Sequence, residues 1–270
     1  MPTLTRPNVT LHYELDGAGP PAVYITGFGS HTNSVTSKPV RRALAAHYTT
    51  LAVDNRSSGQ TVVHEGASVT IEDMADDIAA VMEHHQMGAA HILGISMGGS
   101  IALMLAHRHP DKVRSLVVCV APAVSLTDGR TGFLLNTLRD MRDRGVPRDL
   151  VNRFTAVYLL AEDVFRDEGF MQVWVNAPQD PLEQTAEGFA QQFDAISGYS
   201  TDAYLSDIRM PTLVVSSPDD MLVPPRYQDA IADKIPNAEI KRYPGGHIFM
   251  FLPMYNQQFY EDIFAFWAAH

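Results

Sequence analysis

The stretch Gly94-Ile95-Ser96-Met97-Gly98-Gly99 stands between two runs of different character. Before it, His91-Ile92-Leu93-Gly94-Ile95 is short and apolar, as a strand inside a sheet is. After it, residues 100–107 bring Ile101, Leu103, Met104, Leu105 and Ala106, a good helix-forming sequence. The pattern is strand, abrupt turn, helix, with a serine at the apex, which is the G-x-S-x-G nucleophile elbow in its required context. A strained apical residue in a left-handed conformation brings the chain two residues before it and two after into near contact. Gly94 and Gly98 are the small residues this needs. The turn presents the Ser96 hydroxyl at the mouth of the sheet beside a helix N-terminus, which favours developing negative charge. The bland alternative, a glycine-rich turn that merely joins strand to helix, does not account for the flanking pattern.

The chain has 270 residues, 46% of them hydrophobic and 19% charged, enough for one large domain or two small ones with a substantial core. A formal net charge of −11 argues against nucleic acid or an anionic membrane as partner. Cys119 is the only cysteine, so no intrachain disulfide forms, and its apolar surroundings suit a buried, inert thiol. Residues 1–7 lack a basic segment followed by an apolar one, and no apolar run approaches the ~20 residues that span a bilayer. A soluble, cytoplasmic protein is the expectation.

Outward from the elbow, strand and helix patterns alternate. Residues 9–15, 22–26, 50–53 and 113–120 read as strands, and residues 40–47 and 71–85 as helices, with Thr70 as N-cap of the second. Gly27-Phe28-Gly29 follows a strand but lacks the third glycine of a dinucleotide-binding fingerprint. From residue 122 to residue 206 the alternation stops and the pattern is helical, with Pro, Gly and acidic breaks and many large apolar side chains. It resumes with a strand at 212–216, the turn Ser217-Pro218-Asp219-Asp220, a helix at 226–234, a strand at 238–242, then Gly245-Gly246-His247 and a closing helix from about 256 to 269. Such alternation predicts an α/β protein with a mostly parallel sheet covered on both faces.

With these motifs in this order the chain resembles the α/β-hydrolase fold superfamily over nearly its whole length, in particular the small cofactor-free serine esterases, enol-lactonases and C–C hydrolases. The resemblance implies a single structural domain: an α/β-hydrolase core of residues 1–121 and 207–270, with residues 122–206 as a helical cap inserted after the sixth strand. The family's chain order of nucleophile, acid and histidine falls here on Ser96, Asp220 and His247. Asp219 also suits the acid by position. The family pattern G-x-x-D-x-x-V-P, counted back from Pro224, selects Asp220. The implied oxyanion hole is the backbone N–H groups of Phe28 and Met97. Two departures stand out: Thr26 where the family has histidine before the first glycine, and Ser57 in place of a glycine in the Asp54-to-Thr61 loop.

The expected chemistry is two-step acyl transfer, in which Ser96 attacks a carbonyl and His247 shuttles the proton. Serine at the nucleophile position argues against dehalogenase and epoxide hydrolase reactions, where the family carries aspartate. The expectation is hydrolysis of a small, largely apolar carboxylic ester or lactone. C–C bond hydrolysis, acyl transfer, or a slow-turnover receptor that keeps the triad are the alternatives. No metal or organic cofactor is expected, since His84-His85 and His107/His109 lack metal-site companions. No clustered Arg or Lys in the cap suggests an anionic substrate. His31, Phe133, Tyr158, Trp174 and Ile248 are expected to line the substrate pocket.

Overall fold

Strands that are apolar along their whole length must be covered on both faces, and that requirement shapes the molecule. The computed structural model describes residues 2–127 and 129–270, and among them nine strands form one sheet. At one edge β1 (Thr3–Arg6), β2 (Val9–Asp16) and β4 (Thr49–Val53) pair antiparallel. From β4 the sheet continues in parallel through β3 (Pro21–Ile25), β6 (Ala90–Ile95), β7 (Val113–Cys119), β8 (Thr212–Ser216) and β9 (Ala238–Arg242). The two-residue β5 (Val62–Val63) pairs with β2. The pattern of the sequence does not announce β1 or β5. With β5 counted, the helical insertion expected after the sixth strand follows the seventh.

The two-residue period of the strands sorts their side chains cleanly. Val23, Ile25, Leu51, Val53, Ile92, Leu116, Val118 and Val214 share one core with α2 (Ile71–His84), α3 (Met97–Arg108) and α8 (Arg226–Lys234). The alternate residues Tyr24, Leu93, Ile95, Val117, Cys119, Leu213 and Val215 share the other with α1 (Ser37–Ala45) and α9 (Pro253–Ala269). At about 25 cal/mol per Å² of apolar area, these two layers supply most of the drive to fold. Thr70 caps α2 as expected, its side chain accepting from Asp73 N–H at 3.0 Å.

Between β7 and β8 lie α4 (Arg130–Asp143), α5 (Arg148–Leu159), α6 (Glu168–Val175) and α7 (Ala186–Ser197). The ends of this insertion meet: Val124 and Ser200 form an antiparallel bridge, and Thr201 N–H donates to Ala123 O at 2.8 Å. Among the described residues no helix is long and apolar enough to cross a membrane.

One buried titratable group ties the core to pH. The His91 ring lies parallel to Trp267 of α9 at 5.2 Å, and its Nδ1 is 2.8 Å from the Ser115 hydroxyl. Burial, with Arg114 and His270 adding to it, pushes the imidazole down to about 4. The unfolded chain, titrating near 6.5, takes up this proton first. Stability should therefore be intact above about pH 6.5 and fall between there and about pH 4, with a slope of up to ~1.4 kcal/mol per pH unit. Urea titrations at several pH values should show this decline, and His91→Asn should flatten it. An equal slope in both proteins would assign the acid sensitivity to other groups.

Candidate active site

Ser96 joins β6 to α3 with φ +56° and ψ −123°, a backbone conformation that side chains rarely adopt. The reason it persists is steric. A Cβ on Gly94 would sit 2.2 Å from Gly98 O, and one on Gly98 would sit 2.2 Å from Ile25 O of β3. Strand, helix and neighbouring strand are pressed together at these glycines, and the serine takes the conformation that remains.

The Ser96 hydroxyl lies 3.0 Å from His247 Nε2, and His247 Nδ1 lies 2.8 Å from Asp220 Oδ2. A carboxylate only accepts, so Nδ1–H donates to Asp220, which leaves Nε2 free to accept from Ser96. Asp220 is itself held: its Oδ1 accepts from Leu222 N–H at 2.9 Å and Val223 N–H at 2.8 Å. Both His247 and Asp220 are buried. Gly245 and Gly246, at φ +111° and +84°, turn the chain so that the ring reaches Ser96, and a Cβ on Gly246 would meet Leu159 O of α5 at 2.7 Å. Asp219 sits apart, its side chain only accepting from Gly245 N–H at 3.4 Å. Burial first, and then the Asp220 carboxylate, push the Cys119 thiol up, so it stays protonated.

Phe28 follows β3 in a turn closed by Ser30 N–H donating to Gly27 O at 3.2 Å, and a Cβ on Gly27 would lie 3.3 Å from Ser96 Cβ. Met97 is the first residue of α3, where backbone N–H groups have no intrahelical partner. Both residues border the cavity beside Ser96. Thr26, at the position where a histidine was expected, accepts from Asn55 Nδ2 through its carbonyl at 3.0 Å. Ser57 does adopt the left-handed φ of +66° suited to a glycine, and its hydroxyl donates to Gln191 of α7 at 2.5 Å. Arg56 is fully buried in a two-pronged ion pair with Asp77 of α2, at 2.6 and 3.0 Å, and its role is structural.

The cavity at Ser96 is small, about 70 Å³, and its wall includes Phe28, Pro122, Val124, Leu135, Leu222 and Val223. Larger clefts lie elsewhere. One of about 420 Å³ runs past residues 57–67, and one of about 740 Å³ reaches Asp219 and Asp220 but not Ser96.

The five side chains expected in the pocket lie outside this cavity, each for a physical reason. His31 is buried, with Nε2 bonded to Asp180 Oδ2 at 3.0 Å, because Thr32 N–H donating to Asp54 at 2.7 Å turns its loop away. Phe133 is 69% exposed, since the phase of α4 turns Leu135 inward instead. Tyr158 packs edge-on to Phe154 at 5.4 Å. Trp174, whose indole N–H donates to Asn152 O at 2.8 Å, lines a separate apolar groove of about 370 Å³ together with Ile248.

The pattern of the sequence gives no hint of two buried glutamines of the insertion. Gln192 of α7 accepts from Gly29 N–H at 2.9 Å and donates to Arg56 O at 2.8 Å. Gln184 donates to Ser57 O at 2.9 Å. Both are buried among loops that carry the site, where a helix-spaced glutamine ordinarily reads as surface.

Comparison with known proteins agrees with this fold. A family model described as the alpha/beta hydrolase fold matches residues 20–253. The chain is 29% identical to a protein of Caulobacter vibrioides named "Putative carbamate hydrolase RutD", over 88% of this chain and 89% of that one. Among solved structures, "Putative non-heme bromoperoxidase BpoC" from Mycobacterium tuberculosis H37Rv superposes with a TM-score of 0.83 at 27% identity, covering 96% of each chain. The enol-lactonase from Burkholderia xenovorans LB400 superposes with a TM-score of 0.81 at 22% identity, over 99% of this chain and 100% of that one, a likeness of fold. With the family model spanning most of its length, this chain belongs to the α/β hydrolase family.

Proposed function

We propose that the protein is a serine hydrolase that cleaves a small, uncharged, largely apolar carboxylic ester or lactone through an acyl-enzyme. The observation that carries this reading is the unbroken chain Ser96 Oγ to His247 Nε2, 3.0 Å, and His247 Nδ1 to Asp220 Oδ2, 2.8 Å, at the wall of an apolar cavity. A serine hydroxyl needs a base within such reach, itself oriented by a third group. His247 takes the Ser96 proton as Oγ attacks the carbonyl carbon, and Asp220 stabilises the imidazolium. The backbone N–H groups of Phe28 and Met97 receive the oxyanion. His247 then protonates the leaving oxygen, and water repeats the sequence to release the acid.

The cavity supports the substrate class. A water-sized group needs roughly 10–15 Å³ of such volume, so about 70 Å³ admits roughly five to seven of them, the size of a short acyl chain. Its polar neighbours are spoken for: Tyr199 OH is 2.8 Å from Thr201 Oγ1, Ser100 Oγ donates to Pro122 O at 3.0 Å, and Thr131 Oγ1 to Leu222 O at 2.7 Å. Among the described residues nothing charged lines it. The carbonyl of a carbamate, the substrate type in the name of the Caulobacter relative, is an electrophile of the same kind.

Two experiments test this. A fluorophosphonate should label Ser96 stoichiometrically, and Ser96→Ala should abolish both labelling and turnover; an adduct on another residue would overturn the assignment. Across p-nitrophenyl acetate, butyrate and octanoate, with a lactone and a phenyl carbamate alongside, kcat/KM should fall at least about tenfold from butyrate to octanoate. Preference for octanoate would mean that the acyl chain lies elsewhere.

The acid is tested separately. Asp220→Asn should lower kcat by about 10³- to 10⁴-fold with the fold retained, as loss of a triad acid's charge does. Asp219→Asn, which touches only a turn, should cost about tenfold or less. The reverse ranking in steady-state kinetics would remove Asp220 from the mechanism.

A further inference from the structure

The oxyanion turn is held by the insertion as well as by the core. Its four residues, 27–30, are closed by Ser30 N–H donating to Gly27 O, with Gly29 at φ +68°. A left-handed third residue is what a type II turn requires. The central peptide of such a turn, Phe28 C=O with Gly29 N–H, can rotate to the type I arrangement, and the loop changes shape when it does. Here Gln192 Oε1 accepts from Gly29 N–H at 2.9 Å. Rotation would bring Phe28 O toward that same oxygen, two acceptors face to face. Gln192 cannot turn its amide to accommodate this without loss, because Nε2 donates to Arg56 O at 2.8 Å and the reversed amide would set Oε1 against Arg56 O, acceptor to acceptor. The side chain is fully buried, so water does not replace either bond. Phe189, on the same helix α7, packs edge-on to the Phe28 ring with centroids 4.9 Å apart. Arg56, at the other end of the glutamine, is anchored to Asp77 of the core.

We infer that Gln192 is a positioning residue for the reaction: through Gly29 N–H it fixes the Phe28–Gly29 peptide, and with it the shape of the turn that carries Phe28 N–H toward the oxyanion. The inference rests on the proposed oxyanion role of Phe28. It makes α7 part of the catalytic geometry rather than only a roof over the substrate. A donor misplaced by a fraction of an ångström acts on the transition state and leaves ground-state binding alone.

The test uses the full chain and counts active sites by fluorophosphonate titration, so that only folded molecules contribute. Gln192→Met keeps the size of the side chain and removes both bonds. It should lower kcat by about tenfold to a hundredfold with KM within about twofold, and weaken a boronic acid inhibitor by the same factor. Gln192→Glu keeps an acceptor oxygen toward Gly29 but has no N–H for Arg56 O, and its kcat should recover to within about threefold of the parent. Parental kcat in titrated Gln192→Met, or a loss confined to KM, would overturn the inference. So would a Gln192→Glu variant as slow as Gln192→Met, and the Glu variant decides alone if the Met variant does not fold. If Ser96→Ala still turns over, the reading of the active site has failed. If Ser96→Ala is inert while Gln192→Met keeps its kcat, only the role of Gln192 has.

Discussion

Three pieces of backbone meet where β6 ends, with no room between them for even one methyl group. Gly94 faces Gly98 O, and Gly98 faces Ile25 O, each at a distance that a Cβ would reduce to 2.2 Å. Everything around Ser96 depends on this closeness. It holds the serine at a positive φ, sets the first N–H groups of α3 beside its hydroxyl, and brings the turn after β3 against its Cβ. The strain at one residue, of order 1–3 kcal/mol, is small against the apolar layers that enforce it from both faces of the sheet. Geometry at Ser96 is therefore inherited from packing of the whole domain.

The other two catalytic candidates are placed by the same means. Asp220 and His247 come from loops at the ends of β8 and β9, which run parallel to the elbow strand β6 on the far side of β7, and each loop is tied by its own backbone donors. Buried polar groups cost free energy unless paired. In this molecule several pair across the boundary between core and insertion: Gln192 with Arg56 and Gly29, Gln184 Nε2 with Ser57, His31 Nε2 with Asp180. Removing one partner leaves the other orphaned at about 1–3 kcal/mol, so these contacts specify how the insertion sits as well as adding to stability.

The elbow and the central strands were legible because each is a local pattern, a small-residue spacing and a buried apolar run, while the count back from Pro224 that picks the aspartate bonded to His247 came from the family resemblance. β1 and β5 escaped because short strands with no buried residue carry little signal. The pocket escaped for a different reason. Phe133, Leu134 and Leu135 are consecutive, so apolar character alone cannot say which of them α4 turns toward Ser96. Much of the cavity wall comes from Pro122, Val124, Leu126, Leu222 and Val223, residues of connecting segments with no periodicity to read. Gln192 and Gln184 matter only through loops more than a hundred residues away, which no local pattern reports.

The pinched base of the insertion has a consequence for the family's history. Because Ala123 and Thr201 are hydrogen-bonded neighbours, the chain leaves the sheet and returns to it through a single doorway. What hangs beyond that doorway can grow or shrink with little penalty in closure entropy, about 0.6 kcal/mol for each doubling in length. Helices can be exchanged there, and with them the shape of the chamber, while the sheet continues to fold as before. A different set of helices can thus rebuild that part of the cavity wall and leave the elbow and its sheet untouched. The glutamine contacts mark the limit of that freedom, since a new lid must also supply an acceptor for Gly29 N–H or do without one.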